Sequence, residues 1–224
     1  MQFASALTFF SLGAMASASA LPNVLGAYEL AAPIAERDVP TLECDAEPIY
    51  TGTLKLVSSQ GRESNAAFEG VRNAKGLQQL SAAAAKEEKF SFTSCKSTFL
   101  KYETEKTMAA DVYFGRLQPA SLVGKRCVSA SELVSKSARL VSERCSDSDD
   151  SGQLLQFWTL TKQPDATGES FTYYLGFLGQ PRDDTEDFTG SYVISKHTGN
   201  GTALVKLAHK EEEGARSPYT LRLV

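Results

Sequence analysis

Histidine is nearly absent from this 224-residue chain: His197 and His209 are the only two, and tryptophan occurs once, as Trp158. Neither histidine has a second histidine or a cysteine at metal-ligand spacing, so no metal site is expected. Also missing are Gly-x-Ser-x-Gly, His-Glu-x-x-His and a phosphate-cradling glycine loop, and no cysteine with a plausible free thiol pairs with a histidine. A carboxylate pair of the glycosidase kind can be drawn from the many acids, but nothing singles one out. The inventory is that of a non-enzyme without a cofactor. An excess of basic charge is lacking as well: 23 Lys and Arg face 27 Asp and Glu, for a net −4 and a pI near 5.3. Such a balance speaks against nucleic acid or an anionic membrane surface as partner. Long apolar runs are reduced to one, Ala4 to Met15, short of the roughly 20 residues a membrane span needs.

What is present begins with that run. Met1 to Ala20 contains no charged side chain and ends on Ala16-Ser17-Ala18-Ser19-Ala20, a small-residue cleavage site after an apolar core, which is the pattern of a secretory signal peptide. The expected product is a secreted, extracellular protein starting near Leu21. Leu21 to Pro40 carries Pro22, Pro33 and Pro40 and no sustained helical or strand period, and reads as a flexible extension or pro-segment. All four cysteines, Cys44, Cys95, Cys127 and Cys145, follow the cleavage point. An even set in an exported chain predicts two disulfides, with three pairings open. Asn200-Gly201-Thr202 is the one Asn-x-Ser/Thr sequon, so Asn200 is expected to carry a glycan in a eukaryotic host.

From Thr41 to the end, short runs rich in Tyr, Phe, Val and Leu alternate with Gly, Ser, Asn and Asp clusters, the signature of an all-β domain of many short strands. Tyr50–Leu56, Phe90–Phe92, Ala138–Val141, Phe157–Leu160, Phe171–Phe177 and Tyr219–Leu223 are the clearest. The helix-like stretch from Ser81 to Glu88 is too short to stand alone and is expected to form a turn or two within a loop. The aromatic-Gly-x-Leu segments at Gly52, Gly115 and Gly176 lie 63 and then 61 residues apart, and an aromatic strand residue follows each glycine by 40 to 43 residues, at Phe92, Trp158 and Tyr219. Two markers with one period predict three similar units, which a β-sandwich, the other fold with this strand count, gives no reason to expect.

The middle unit holds Cys127-Val128-Ser129-Ala130, then Ala138 to Cys145, then Gln156-Phe157-Trp158. This order resembles a ricin-B-type β-trefoil repeat, whose marks are a Cys-to-Cys loop followed by Gln-x-Trp. The resemblance implies a β-trefoil of three repeats over residues 41–224, a Cys127–Cys145 bridge, and Cys44 left to pair with Cys95. It also implies sugar binding through shallow pockets, each with a carboxylate, an aromatic face and a polar side chain beside the Gln-x-Trp strand. The expected carboxylate is Ser129 in the middle unit and Ile194 in the third, and Leu155 stands where the family has a polar amide. Only Glu69, in the first unit, remains as a sugar-binding acid.

The expected partners are therefore a glycan or, if the long segments Gln60–Gly76, Lys101–Asp111 and Gly179–Gly190 act as inhibitory or effector loops, an extracellular protein such as a protease. The protein is expected to be a monomer. The acidic clusters Asp147–Asp150 and Asp183–Asp187 lack the ordered spacing and glycine of a calcium loop and read as solvated turns.

Overall fold

The computed structural model describes residues 39–102, 104–106, 110–165, 167–180, 190–199, 201–211 and 216–224. The expected signal peptide, nearly all of the expected 21–40 extension, the Asp183–Asp187 cluster, most of the 179–190 segment and the sequon residue Asn200 lie outside them.

Fifteen strands account for most of the described chain. They are β1 (Glu43–Cys44), β2 (Tyr50–Ser58), β3 (Glu63–Asn65), β4 (Ala67–Arg72), β5 (Gln78–Ser81), β6 (Lys89–Lys96), β7 (Glu105–Lys106) and β8 (Asp111–Pro119). There follow β9 (Arg126–Ala130), β10 (Ser137–Arg144), β11 (Trp158–Pro164), β12 (Phe171–Phe177), β13 (Ser191–Gly199), β14 (Thr202–Lys210) and β15 (Tyr219–Leu223). A single 3-10 turn, Ser151–Leu155, precedes β11. Gln60 to Gly76, expected as a loop, is thus largely strand.

Six strands close on themselves through antiparallel ladders in the ring order β6-β2-β15-β12-β11-β8, with β8 returning to β6. Closure removes the sheet edges that an open sheet or sandwich would leave. The second sheet consists of three hairpins, β4–β5, β9–β10 and β13–β14, whose inner strands β5, β10 and β14 each pair with the other two. One buried apolar cluster draws on both sheets: Leu54, Leu56, Phe90, Phe92, Leu117, Trp158, Leu160, Leu175, Leu221 and Leu223 from the barrel, and Leu80, Val128, Leu140, Val205 and Leu207 from the hairpins. Strand alternation puts these side chains inward.

The glycines at the head of the first two aromatic-Gly-x-Leu segments are where barrel strands come closest. A Cβ on Gly52 would stand 2.6 Å from the Val224 carbonyl oxygen, and one on Gly115 only 2.0 Å from that of Thr93. Tyr50 and Leu54, like Tyr113 and Leu117, face the core beside them. The third segment runs one residue out of phase: Tyr173, Leu175 and Phe177 face the main core, while Leu178 packs against a separate small cluster with Leu42, Cys95, Phe114 and Phe157.

The Ser81–Glu88 stretch contains no helical turn. Its amides are committed elsewhere, Ala82 N–H to the Ala203 carbonyl and Ala84 N–H to that of Asn65, while Ala82 and Ala84 are buried. External partners override the helical propensity of the alanines.

Both disulfides form, Cys44–Cys95 and Cys127–Cys145. Their settings differ. Cys127 and Cys145 are buried, whereas Cys44 is exposed on a two-residue strand at the sheet edge and directly opposite Cys95. Reducibility follows access. Brief treatment of the folded protein with dithiothreitol followed by alkylation and peptide mass mapping is expected to label Cys44 and Cys95 first, with Cys127 and Cys145 labelled only once denaturant is added.

Candidate functional site

Gln156 and Trp158, the two marks of the middle unit, bind the ends of the disulfide loop. The Gln156 side chain accepts from Ser146 N–H at 2.9 Å and donates to the Arg144 carbonyl at 2.9 Å, spanning Cys145. Trp158 Nε1 donates to the Val128 carbonyl at 2.9 Å, next to Cys127. Ser129 is fully buried, with its hydroxyl near the Ala130 carbonyl and Glu143. No sugar-accessible group stands at that position, and Ile194 is buried as well.

The Asp147–Asp150 cluster is a structural knot rather than a solvated turn. Asp149 is buried, and its carboxylate accepts from the Ser97 hydroxyl, from Thr98 N–H at 2.7 Å, from the Thr98 hydroxyl at 2.6 Å and from Phe99 N–H at 3.3 Å. Asp150 caps the 3-10 turn by accepting from Gly152 N–H at 2.8 Å. Burial alone pushes the Asp149 carboxyl up, but these hydrogen bonds outweigh it and hold the group below the usual carboxylate range. A carboxyl lowered in the folded state stabilises fully above its unfolded value of about 4 and loses that contribution as pH falls through its folded value. Acid titration of the melting temperature is expected to show this loss below about pH 4, and Asp149→Ala is expected to cost about 2–4 kcal/mol at pH 7 because it orphans buried donors.

Asp147 lies 3.5 Å from Arg116 Nη1 and 3.5 Å from Lys125 Nζ. Arg116 is buried in the wall of a cleft of about 590 Å³ that also includes Cys44, Thr93, Gln118 and Lys125. Its Nε and Nη2 have no hydrogen-bond partner among the described residues, and burial lowers its pKa against the opposing pull of Asp147. Both nitrogens are closed off from solvent, so the open cleft does not reach them.

Glu69 is placed differently from Ser129 and Ile194. It sits on β4 with its side chain exposed, and lines a cleft of about 480 Å³ together with Ala67, Phe68, Lys86, Glu87, Glu88 and Ser121. Glu69 Oε1 accepts from Ala85 N–H at 2.7 Å and from Lys86 N–H at 3.4 Å; Oε2 has no partner among the described residues. The floor is rigid because Glu88, itself buried, accepts from Phe68 N–H at 2.7 Å and from the Ser121 hydroxyl. Phe68 packs on the core beside Phe90, with ring centroids 6.1 Å apart. Carboxylate, ammonium and hydroxyl side chains thus converge here, while the Phe68 ring turns to the core. Sequence reasoning named Glu69 alone; Phe68 precedes it on the same strand, but Lys86, Glu87 and Ser121 come from segments with no shared spacing.

His197 is exposed, and His209 lies half-buried with its ring 6.2 Å from that of Tyr192. No group of three or more His, Cys, Asp or Glu side chains suited to a metal ion occurs among the described residues. Comparisons with protein-family profiles, with curated proteins and with solved structures find no match.

Proposed function

We propose that this chain is a secreted, non-enzymatic carbohydrate-binding protein with a β-trefoil body and that the Glu69 cleft is its sugar site. The element order supports the trefoil reading: β2, β4–β5 and β6, then β8, β9–β10 and β11, then β12, β13–β14 and β15 each run barrel strand, hairpin, barrel strand. Four cysteines joined in two bridges suit an oxidising compartment. A fold of this kind hosts several functions, so the sugar reading is carried by the site.

The observation that carries it is Glu69 in an open cleft beside Lys86 and Ser121, with its Oε2 unpartnered among the described residues. A carboxylate oxygen with no partner among the described residues accepts hydrogen bonds from vicinal hydroxyls. A small number of placed polar groups beside an apolar surface is how shallow ligand sites obtain orientation. Saturable binding to one class of neutral glycan on an array is the expected result for the purified protein. Glu69→Gln keeps an oxygen for Ala85 N–H but loses the charge, and is expected to weaken that binding about tenfold or more, in line with the loss of a charge-assisted hydrogen bond, with its melting temperature unchanged. Absence of binding to every neutral glycan, or an unchanged affinity in the variant, would overturn the assignment.

A further inference from the structure

The hairpin sheet concentrates cations that form no ion pair among the described residues. A cleft of about 190 Å³ is lined by Arg72 and Arg126 with Leu77, Leu122 and Ser142, and a second of about 370 Å³ by Arg72, Lys75 and Arg139 with Ser131 and Glu132. Arg72 belongs to both. Arg139 on β10 stands directly opposite Lys206 on β14, so two like charges face each other across a ladder. Arg126 and Arg144 make a second such pair across β9 and β10, five residues along β10 from Arg139 and so on its other side. Like charges in register destabilise a sheet, and two such pairs in a chain of net −4 are a cost the fold itself does not require.

None of Arg72, Lys75, Arg126, Arg139, Arg144 and Lys206 has an ion pair among the described residues; the ion pairs found there involve Lys55, Arg116, Lys125 and Arg222. Arg72 donates to the Gly76 carbonyl and Arg139 to the Gln79 side chain, which hold both guanidinium groups in place with donors to spare. The acids nearby are Glu132 in the second cleft and Glu143 on β10, the latter 3.2 Å from the Ser129 hydroxyl. Burial, and after it the Arg139 charge, lower the pKa of Lys206.

We propose that the cations of this sheet bind an anionic polysaccharide chain, with carboxylate or sulfate groups of successive sugars taken up by the two clefts that share Arg72. An anion between opposed like charges removes their repulsion, and the guanidinium fork matches both carboxylate and sulfate geometry. No aromatic ring lines either cleft, so unstacked bases find no platform of the kind that single-stranded nucleic acid uses. Nor does either cleft offer an aromatic pocket of the kind that anchors a protein partner. The proposal shares its ligand class with the Glu69 reading but none of its residues.

The test is retention of the full-length purified protein on immobilised heparin, with affinities measured over a salt series. Despite its net negative charge the protein is expected to be retained at 0.15 M NaCl, and log affinity is expected to fall linearly with log salt. Arg72→Gln with Arg139→Gln is expected to weaken binding about tenfold or more and to reduce the salt slope by about 1–2. Arg72→Gln with Lys75→Gln, exposed positions at the end of β4 and in the turn after it, is expected to do so with an unchanged melting temperature, which separates the loss from any unfolding. Glu69→Gln and Lys55→Gln are expected to bind heparin like the parent. Elution below 0.15 M NaCl, undiminished binding in both double variants, or equal binding to polyglutamate or duplex DNA would overturn the proposal.

Discussion

Trp158→Ala is expected to lower the melting temperature by about 10–15 °C, read by far-ultraviolet circular dichroism. Trp158 is fully buried at the junction of β8, β11 and β12, opposite Gly115 on one side and Phe177 on the other, with its ring 5.1 Å from that of Phe177. Truncating a buried tryptophan costs about 3–5 kcal/mol, and the Val128 carbonyl loses its Nε1–H donor besides. At 2–4 °C per kcal/mol for a domain of roughly this size, the shift follows. Trp158→Phe keeps the ring and loses the donor, and is expected to fall well short of that drop. If the alanine variant melted within about 3 °C of the parent, the core would not be organised around this side chain.

The second large effect is expected at Gly115. A Cβ there meets the Thr93 carbonyl oxygen at 2.0 Å, the Thr93 carbonyl carbon at 2.9 Å and the Cys95 nitrogen at 3.0 Å. All three are backbone atoms of β6, held by the β6–β8 ladder and by the Cys44–Cys95 bridge. Neither strand can retreat without opening the ring, so Gly115→Ala is expected to cost about 3 kcal/mol or more, the upper end of overpacking. Gly176→Ala provides the contrast, since its Cβ meets the Thr159 hydroxyl at 2.5 Å, a side chain able to rotate away. Its cost is expected to stay below about 1.5 kcal/mol. Urea unfolding of the two variants measures the difference; equal stabilities would mean that the barrel is looser than the strand spacing implies.

The contrast between these glycines also tells how far the sequence was legible. Alternation identified the clearest strands, and the Gly-x-Leu segments contain Gly52 and Gly115, two glycines of close approach, because both properties are local to one strand. The third segment misled for an equally local reason. Tyr173 and Tyr174 are adjacent, so a period-2 pattern can be read in either phase, and only the pairing of Leu175 with Leu221 settles which face is buried. The alanine-rich stretch misled because its amides bond to residues far away in the chain. Asp149 was unreadable for the same cause: its donors, Ser97 to Phe99, lie about fifty residues earlier.

At the candidate site the balance was similar. Glu69 was named by its place in the expected repeat, yet what makes it a cleft is Lys86 and Glu87 from one loop and Ser121 from the start of another, which no spacing rule relates. The cations of the hairpin face were hidden in the same way, because a net charge of −4 averages over a surface whose charges are segregated by folding.

The most direct measurement of the functional reading is a nuclear magnetic resonance titration of the 15N-labelled protein with a neutral galactoside and a neutral glucoside. The account expects saturable shifts for one of them at the amides of Phe68, Glu69, Ala85, Lys86 and Ser121, with Ala85 and Lys86 responding because their N–H groups bond to Glu69. Shifts centred elsewhere, or none up to about 50 mM sugar, far beyond the millimolar range of weak specific binding, would contradict it.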